Sequence, residues 1–221
     1  MLKSILSFTI AITLIICLVI ILYLASKYTK LNNSFYNYNI FPQLDTIKDL
    51  HQQIINELPI TLNNWLPWPE TNLYPITKSW TILPLNVFGT WSKTNCRKMP
   101  TLTKFLKTVP NLKMALLSKM GPQTKLIPHK GWGFYSNNVL RCHYGLVIPK
   151  EPNSCYVSVN EDIKYHAEGS WLIFDDSKLH YAENASDSDR IILIVDIERP
   201  KYIKKGDSTV GDTEELQMLI R

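Results

Sequence analysis

In the second half of this 221-residue chain, five side chains able to bind a metal or an anion fall inside or beside apolar runs. They are His129 in "PHKG", Arg141 and His143 in "VLRCHYGLVIP", His180 in "DDSKLH" and Arg190 at the head of "RIILIVDIERP". Neutral imidazoles are common ligands of divalent transition metals. Arginine cannot shed its charge, so burying one calls for a carboxylate or an anionic ligand. Side chains alternate faces along a strand, which puts Arg141 and His143 on one side of their run and Cys142 and Tyr144 on the other. If the first side is the interior, a bound anion is expected there. Taken singly, His129 and His143 could equally be ordinary strand residues. Asp175 and Asp176 precede His180 closely and read as turn-formers that aim the histidine rather than as metal ligands. His166, in the polar stretch "NEDIKYHAEG", reads as an exposed loop residue.

Positioning such residues requires a scaffold of short strands. From about Lys113 the chain becomes a series of apolar runs, "KMALLSKM", "TKLIPH", "VLRCHYGLVIP", "CYVSVN", "SWLIFDD", "LHYAEN" and "RIILIVDIERP". They are rich in Val, Ile, Leu, Tyr and Trp and bounded by Gly, Pro, Asn and Asp, which predicts an antiparallel sandwich or barrel. The expected fold is mainly β, a double-stranded β-helix (jelly roll) with flanking N-terminal helices. Ile47, Leu50, Ile54, Ile55 and Leu58 recur at helical spacing. "MPTLTKFLKTVPN" predicts a shorter helix, and Trp80 to Leu85 a strand.

Ile5 to Ser26 contains no charged residue and is just long enough, at about 1.5 Å per residue, to cross a bilayer core of about 30 Å. A signal-anchor is expected at residues 1–27, then a polar linker at 28–42, one domain at 43–205 and a tail at 206–221. The protein is thus expected to be single-pass and membrane-bound. Lys3 on one side and Lys27 and Lys30 on the other leave its orientation open. The formal charge of +5 has no run of like charges behind it, so no nucleic-acid partner is expected. Cys17 lies in the apolar run, leaving Cys96, Cys142 and Cys155 without CxxC spacing for a disulfide or zinc framework. Asn32-Asn33-Ser34 and Asn184-Ala185-Ser186 match the N-glycosylation pattern.

The ordered succession "PHKG", "RCHYGLVIP", "FDDSKLH" and a downstream arginine resembles the aspartyl/asparaginyl β-hydroxylase family of Fe(II)- and 2-oxoglutarate-dependent oxygenases, over about Trp80 to Lys201. The resemblance implies that His129 and His180 are the iron ligands. It implies that Arg190 grips a carboxylate of 2-oxoglutarate, with Arg141, His143 and Ser118 making further contacts to that cosubstrate. Gly131 stands where most such oxygenases place Asp or Glu, and the branch resembled tolerates that gap, with water expected to fill it. A glycine there would also leave room for a halide, so halogenation is a minor alternative.

The implied activity consumes O2 and 2-oxoglutarate and hydroxylates an unactivated carbon. The expected substrate is the β-carbon of Asp or Asn in a peptide or protein, or alternatively a lipid acyl chain, since "HYAEN" and "DIERP" resemble lipid A hydroxylases. A non-catalytic jelly-roll binding module is the second class, and a zinc-dependent hydrolase a weaker third.

Overall fold

A computed structural model describes residues 12–21, 31–58, 64–75, 77–211 and 213. The chain divides into two compact units, residues 1–32 with 200–204, and residues 33–199 with 205–221. In the first, residues 12–21 are helical with exposed side chains, and Leu31 bridges to Ile203. Most of the apolar run expected to span a membrane lies outside the described residues. Among the described residues, no helix is long and apolar enough to cross one.

Among the described residues the second unit carries twelve strands: β1 (Phe35–Tyr36), β2 (Leu66–Pro67), β3 (Trp80–Val87), β4 (Thr90–Trp91), β5 (Leu112–Met120), β6 (Thr124–Lys125), β7 (Val139–Val147), β8 (Cys155–Val159), β9 (Asp162–Tyr165), β10 (Trp171–Phe174), β11 (His180–Asn184) and β12 (Arg190–Glu198). They form a large sheet in the order β1-β10-β7-β12-β5-β3-β2, with β4 beside β3, and a small sheet in the order β6-β11-β8-β9. From β5 to β12 the chain passes repeatedly between the two sheets, and the strands of each sheet pair antiparallel. This is jelly-roll connectivity.

The central strands explain their own composition. β7 and β12 are buried along almost their whole length, as expected of strands covered on both faces. Leu116 and Met120 of β5 and Ile192 and Ile194 of β12 point into the core with Trp80 and Ile82. On the outer face, Tyr144 packs against Trp171 and His51, the latter on the helix His51–Glu57. The expected helix around Ile47 and Ile54 begins as a 3-10 helix, Pro42–Leu50, and buries both residues. The Glu57 carboxylate accepts the backbone N–H groups of Thr101 and Leu102. It thereby caps the helix Pro100–Leu106, whose N-terminal dipole favours an acid.

The observed boundaries differ from those expected. Phe35 and Tyr36, placed in a linker by their polar surroundings, pair with β10, where the Phe35 ring lies 6.1 Å from that of Phe174. The start of the expected tail is bonded into the domain. Ser208 Oγ donates to the Gly131 carbonyl at 2.6 Å and Gly133 N to the Val210 carbonyl at 2.8 Å. β9 lies in the stretch read as a loop, because its four residues are all exposed and carry no apolar signal. Asn184 of the second glycosylation pattern is fully buried, with its amide donating to the carbonyls of Met120, Gly121 and Ser188. It is a structural clamp, out of reach of a modifying enzyme.

Candidate active site

His129 and His180 face each other across a two-residue antiparallel bridge, with ring centroids 4.4 Å apart. The bridge holds both backbones: His129 N donates to the His180 carbonyl at 2.9 Å and His180 N to the His129 carbonyl at 2.8 Å. Each Nδ1 is 2.8 Å from the carbonyl two residues back, Ile127 for His129 and Lys178 for His180. A carbonyl can only accept, so each Nδ1 carries the proton and each Nε2 keeps its lone pair, the arrangement a metal ligand needs. Burial, reinforced by the neighbouring His180, holds His129 down to a pKa of about 3. Burial likewise lowers His180 to about 4. Both are neutral at physiological pH.

Behind this pair lies a narrow cavity of ≈ 30 Å³, lined by Ser118, His129, His143, Phe174, His180 and Arg190 among others. Arg190, at the start of β12, is 1% exposed, and no carboxylate pairs with it among the described residues. Its Nε and Nη1 have no partner, and Nη2 reaches Ser118 Oγ only at 3.4 Å. Burial pulls its pKa down to about 10, which leaves it charged at neutral pH. Ser118 Oγ also accepts from Trp80 Nε1 at 3.0 Å, so its own hydroxyl proton is free to be donated. The buried Nε2 of His143 is unpaired as well. A buried cation without a counter-charge costs several kcal/mol unless an anion meets it. The Ser118, His143 and Arg190 group therefore fits a small carboxylate.

Arg141 shares the inward face of β7 with His143 but does not line this pocket. Its Nε and Nη2 form a two-point pair with Asp196, both at 2.9 Å, and Nη1 donates to Asp176 at 2.6 Å. Burial alone would lower its pKa, but Asp176 and Asp196 more than reverse this and the net shift is upward. Where a cosubstrate contact was expected, Arg141 is paired with two acids.

The paired aspartates divide. Asp175 forms the expected turn, accepting from Ser177 N at 3.1 Å and Ser177 Oγ at 2.6 Å, and it also holds Arg199. Asp176 does something the sequence reading missed. Its Oδ1 lies 3.3 Å from His180 Nε2, and its Oδ2 fills the space that a side chain at residue 131 would need. The Ser136 Cβ stands 2.7 Å from the same point. Gly131 is therefore required by packing, and the room expected for a halide beside it is taken by a carboxylate. Among the described residues, no three His, Cys, Asp or Glu side chains converge as a metal cage. The donor set is two imidazoles with an acid close behind.

His166, expected to be exposed, is 7% exposed and stacks on His143, with Nε2 3.1 Å from His143 Nδ1.

Residues 48–200 match the family described as aspartyl/asparaginyl beta-hydroxylase. The chain belongs to that family. A curated relative from Rhizobium tropici, named ornithine lipid ester-linked acyl 2-hydroxylase, is 31% identical over 182 residues, covering 79% of this chain and 64% of its own length. The mouse aspartate beta-hydroxylase domain-containing protein 2 is 35% identical over 115 residues, covering 48% of this chain and 32% of that protein. The human aspartyl/asparaginyl beta-hydroxylase is 43% identical over 84 residues, or 38% of this chain and 10% of that protein. The chain thus matches less than two thirds of the length of each.

Proposed function

We propose that this β-hydroxylase family member is a dioxygenase that binds Fe(II) and 2-oxoglutarate and hydroxylates an unactivated carbon with O2. The observation that carries this reading is the buried, uncompensated Arg190 at the foot of a pocket whose mouth holds two neutral, carbonyl-anchored histidines. His129 and His180 would hold the metal through Nε2. Arg190 and Ser118 would grip the distal carboxylate of the cosubstrate, and His143 would meet it from β7. When bound, the iron supplies the oxidative step, coupled to decarboxylation of 2-oxoglutarate to succinate. The chain's own part is to orient the dicarboxylate and keep the two imidazoles neutral. It also shields the pocket with Phe174 and Trp80, both buried.

The substrate we favour is an Asp or Asn β-carbon in a peptide or protein, supported by the similarity to the human enzyme of that name. A lipid acyl chain is the second reading. It is supported by the Rhizobium tropici relative and by Ile127 and Leu179, which flank the two histidines at 52% and 48% exposure. The uncharged run from Ile5 to Ser26 supports a membrane tether, which suits either substrate.

The test is succinate release from 2-oxoglutarate with Fe(II), alongside the His180→Ala variant. Activity in the parent protein that the substitution abolishes is expected. Activity that survives it removes the metal site, and none in either leaves a non-catalytic binding module. A mass gain of one oxygen on an Asp/Asn peptide or on an acyl lipid then separates the two substrates.

A further inference from the structure

The His143–His166 pair lies outside the metal ligands; His143 packs edge-on against Phe174, and the His166 backbone N–H donates to the Cys155 carbonyl at 2.9 Å. The rings stack at 19° with centroids 5.4 Å apart, and His143 Nδ1 is 3.1 Å from His166 Nε2. His143 is 5% exposed and His166 7%, and each keeps one buried ring nitrogen unpartnered, Nε2 of His143 and Nδ1 of His166. His143 faces the cosubstrate pocket, whereas His166 lines a separate pocket bounded by Lys150, Glu151, Asn153 and Glu168. The two imidazoles are thus the partition between the pockets.

Two neutral imidazoles joined by one hydrogen bond have two proton arrangements. In the first, His143 Nδ1–H donates to His166, which leaves a bare lone pair on His143 Nε2 facing the pocket and a proton on His166 Nδ1. In the second, His166 Nε2–H donates to His143 Nδ1, so that His143 presents Nε2–H to the pocket and His166 keeps a bare Nδ1. Burial first, and then the Arg190 charge, hold His166 well below the ordinary histidine range, so the guanidinium acts on this ring as a nearby cation. Each arrangement leaves one lone pair on His166, so the choice between them rests on what the pocket presents to His143 Nε2. An anion in the pocket favours the one with a donor on His143.

We infer that His166 is a positioning residue that holds His143 in the Nε2–H tautomer, so that His143 donates to a carboxylate of the cosubstrate. This rests on the oxygenase reading. His166 acts only through His143. Its position in the partition also determines which substitution is informative: a small side chain would open one pocket into the other, whereas His166→Phe keeps the wall and removes only the donor. His166→Gln restores an N–H at nearly the same reach.

The experiment uses the full-length chain loaded with Zn(II) and the inert dicarboxylate N-oxalylglycine, followed by tryptophan fluorescence, because Trp80 bonds to Ser118 in the pocket. A carboxylate that must select the Nε2–H form from an even to tenfold-disfavoured mixture predicts roughly 2-fold to 10-fold weaker binding in His166→Phe, with parent-like binding in His166→Gln. Nitrogen-15 shifts of the histidine rings are the readout that a merely structural role would not move. His143 should report Nε2–H in the parent protein and in His166→Gln, and a mixture of tautomers in His166→Phe. Parent-like affinity in the folded His166→Phe variant, or an Nδ1–H tautomer of His143 in the parent, overturns the role of His166 alone. Failure of the parent itself to bind N-oxalylglycine overturns the oxygenase reading and this inference with it.

Discussion

Arg141, with its side chain 11% exposed, and Arg190, 1% exposed, both point into the same jelly roll from adjacent strands and have opposite surroundings. Arg141 sits among Asp176 and Asp196, which use three of its nitrogens. Arg190 sits among Ser118, Trp80 and apolar side chains, with two nitrogens unpaired. The first belongs to an acid-rich wall behind His180 that the fold has already neutralised. The second belongs to a cationic floor that the fold leaves to a ligand. A buried arginine becomes evidence of function only when its counter-charge is missing from the chain.

The largest predicted effect breaks the acid-rich wall. Arg141→Met should leave Asp176 and Asp196 buried without a cation, and removing one partner of a buried ion pair costs about 3–5 kcal/mol. Chemical denaturation at neutral pH should show that loss. A variant as stable as the parent would mean that the wall is not held by this pair.

Arg190→Met should do the reverse. Its stability should equal or exceed the parent's, because an uncompensated buried charge is removed, while affinity for 2-oxoglutarate should fall by roughly 30-fold to 5,000-fold, from the about 2–5 kcal/mol cost of truncating a buried charge contact. Calorimetric titration checks the affinity. If Arg190→Met were as destabilised as Arg141→Met, the contrast between the two arginines would collapse.

Gly131→Ala probes the seam between the two regions. Its methyl group would enter space held by Asp176 Oδ2, and overpacking of this kind costs about 1–3 kcal/mol. Gly131→Asp should be worse, bringing a second carboxylate against the first instead of completing a metal triad. Thermal denaturation of the metal-free protein measures both.

Much of this contrast could be read in the sequence, and the part that could not has a physical cause. Strand alternation correctly put Arg141 and His143 on one inward face, and the apolar runs correctly marked the β-domain. The partners of Arg141 lie 35 and 55 residues away along the chain, so its neutralisation is a product of register across β12 and the turn before β11. His166 was misread for a similar reason. It follows the wholly exposed β9, and its burial comes from His143, 23 residues earlier in the chain. Asp176 and Asp175 are neighbours in sequence but face different cations, which no local pattern separates.

The smallest predicted effect, per residue, is in the pH response of the metal-free protein. His129 and His180 have folded-state pKa values of about 3 and about 4 against an ordinary 6.5. As pH falls below 6.5, the unfolded chain takes up protons that the folded chain refuses, so stability declines through the window from about 6.5 down to those values. Each of the two histidines should contribute about 1 kcal/mol of loss between pH 6.5 and 5.5. His143 and His166, held low first by burial, should add to the same decline. His166→Phe removes one of these groups and should flatten the profile by that share. Denaturation midpoints across pH 5.5 to 7.5 supply the comparison. A profile in the parent that is level below pH 6.5 would mean that these imidazoles accept protons in the folded state, and that the neutral metal-binding pair described at the mouth of the pocket does not exist.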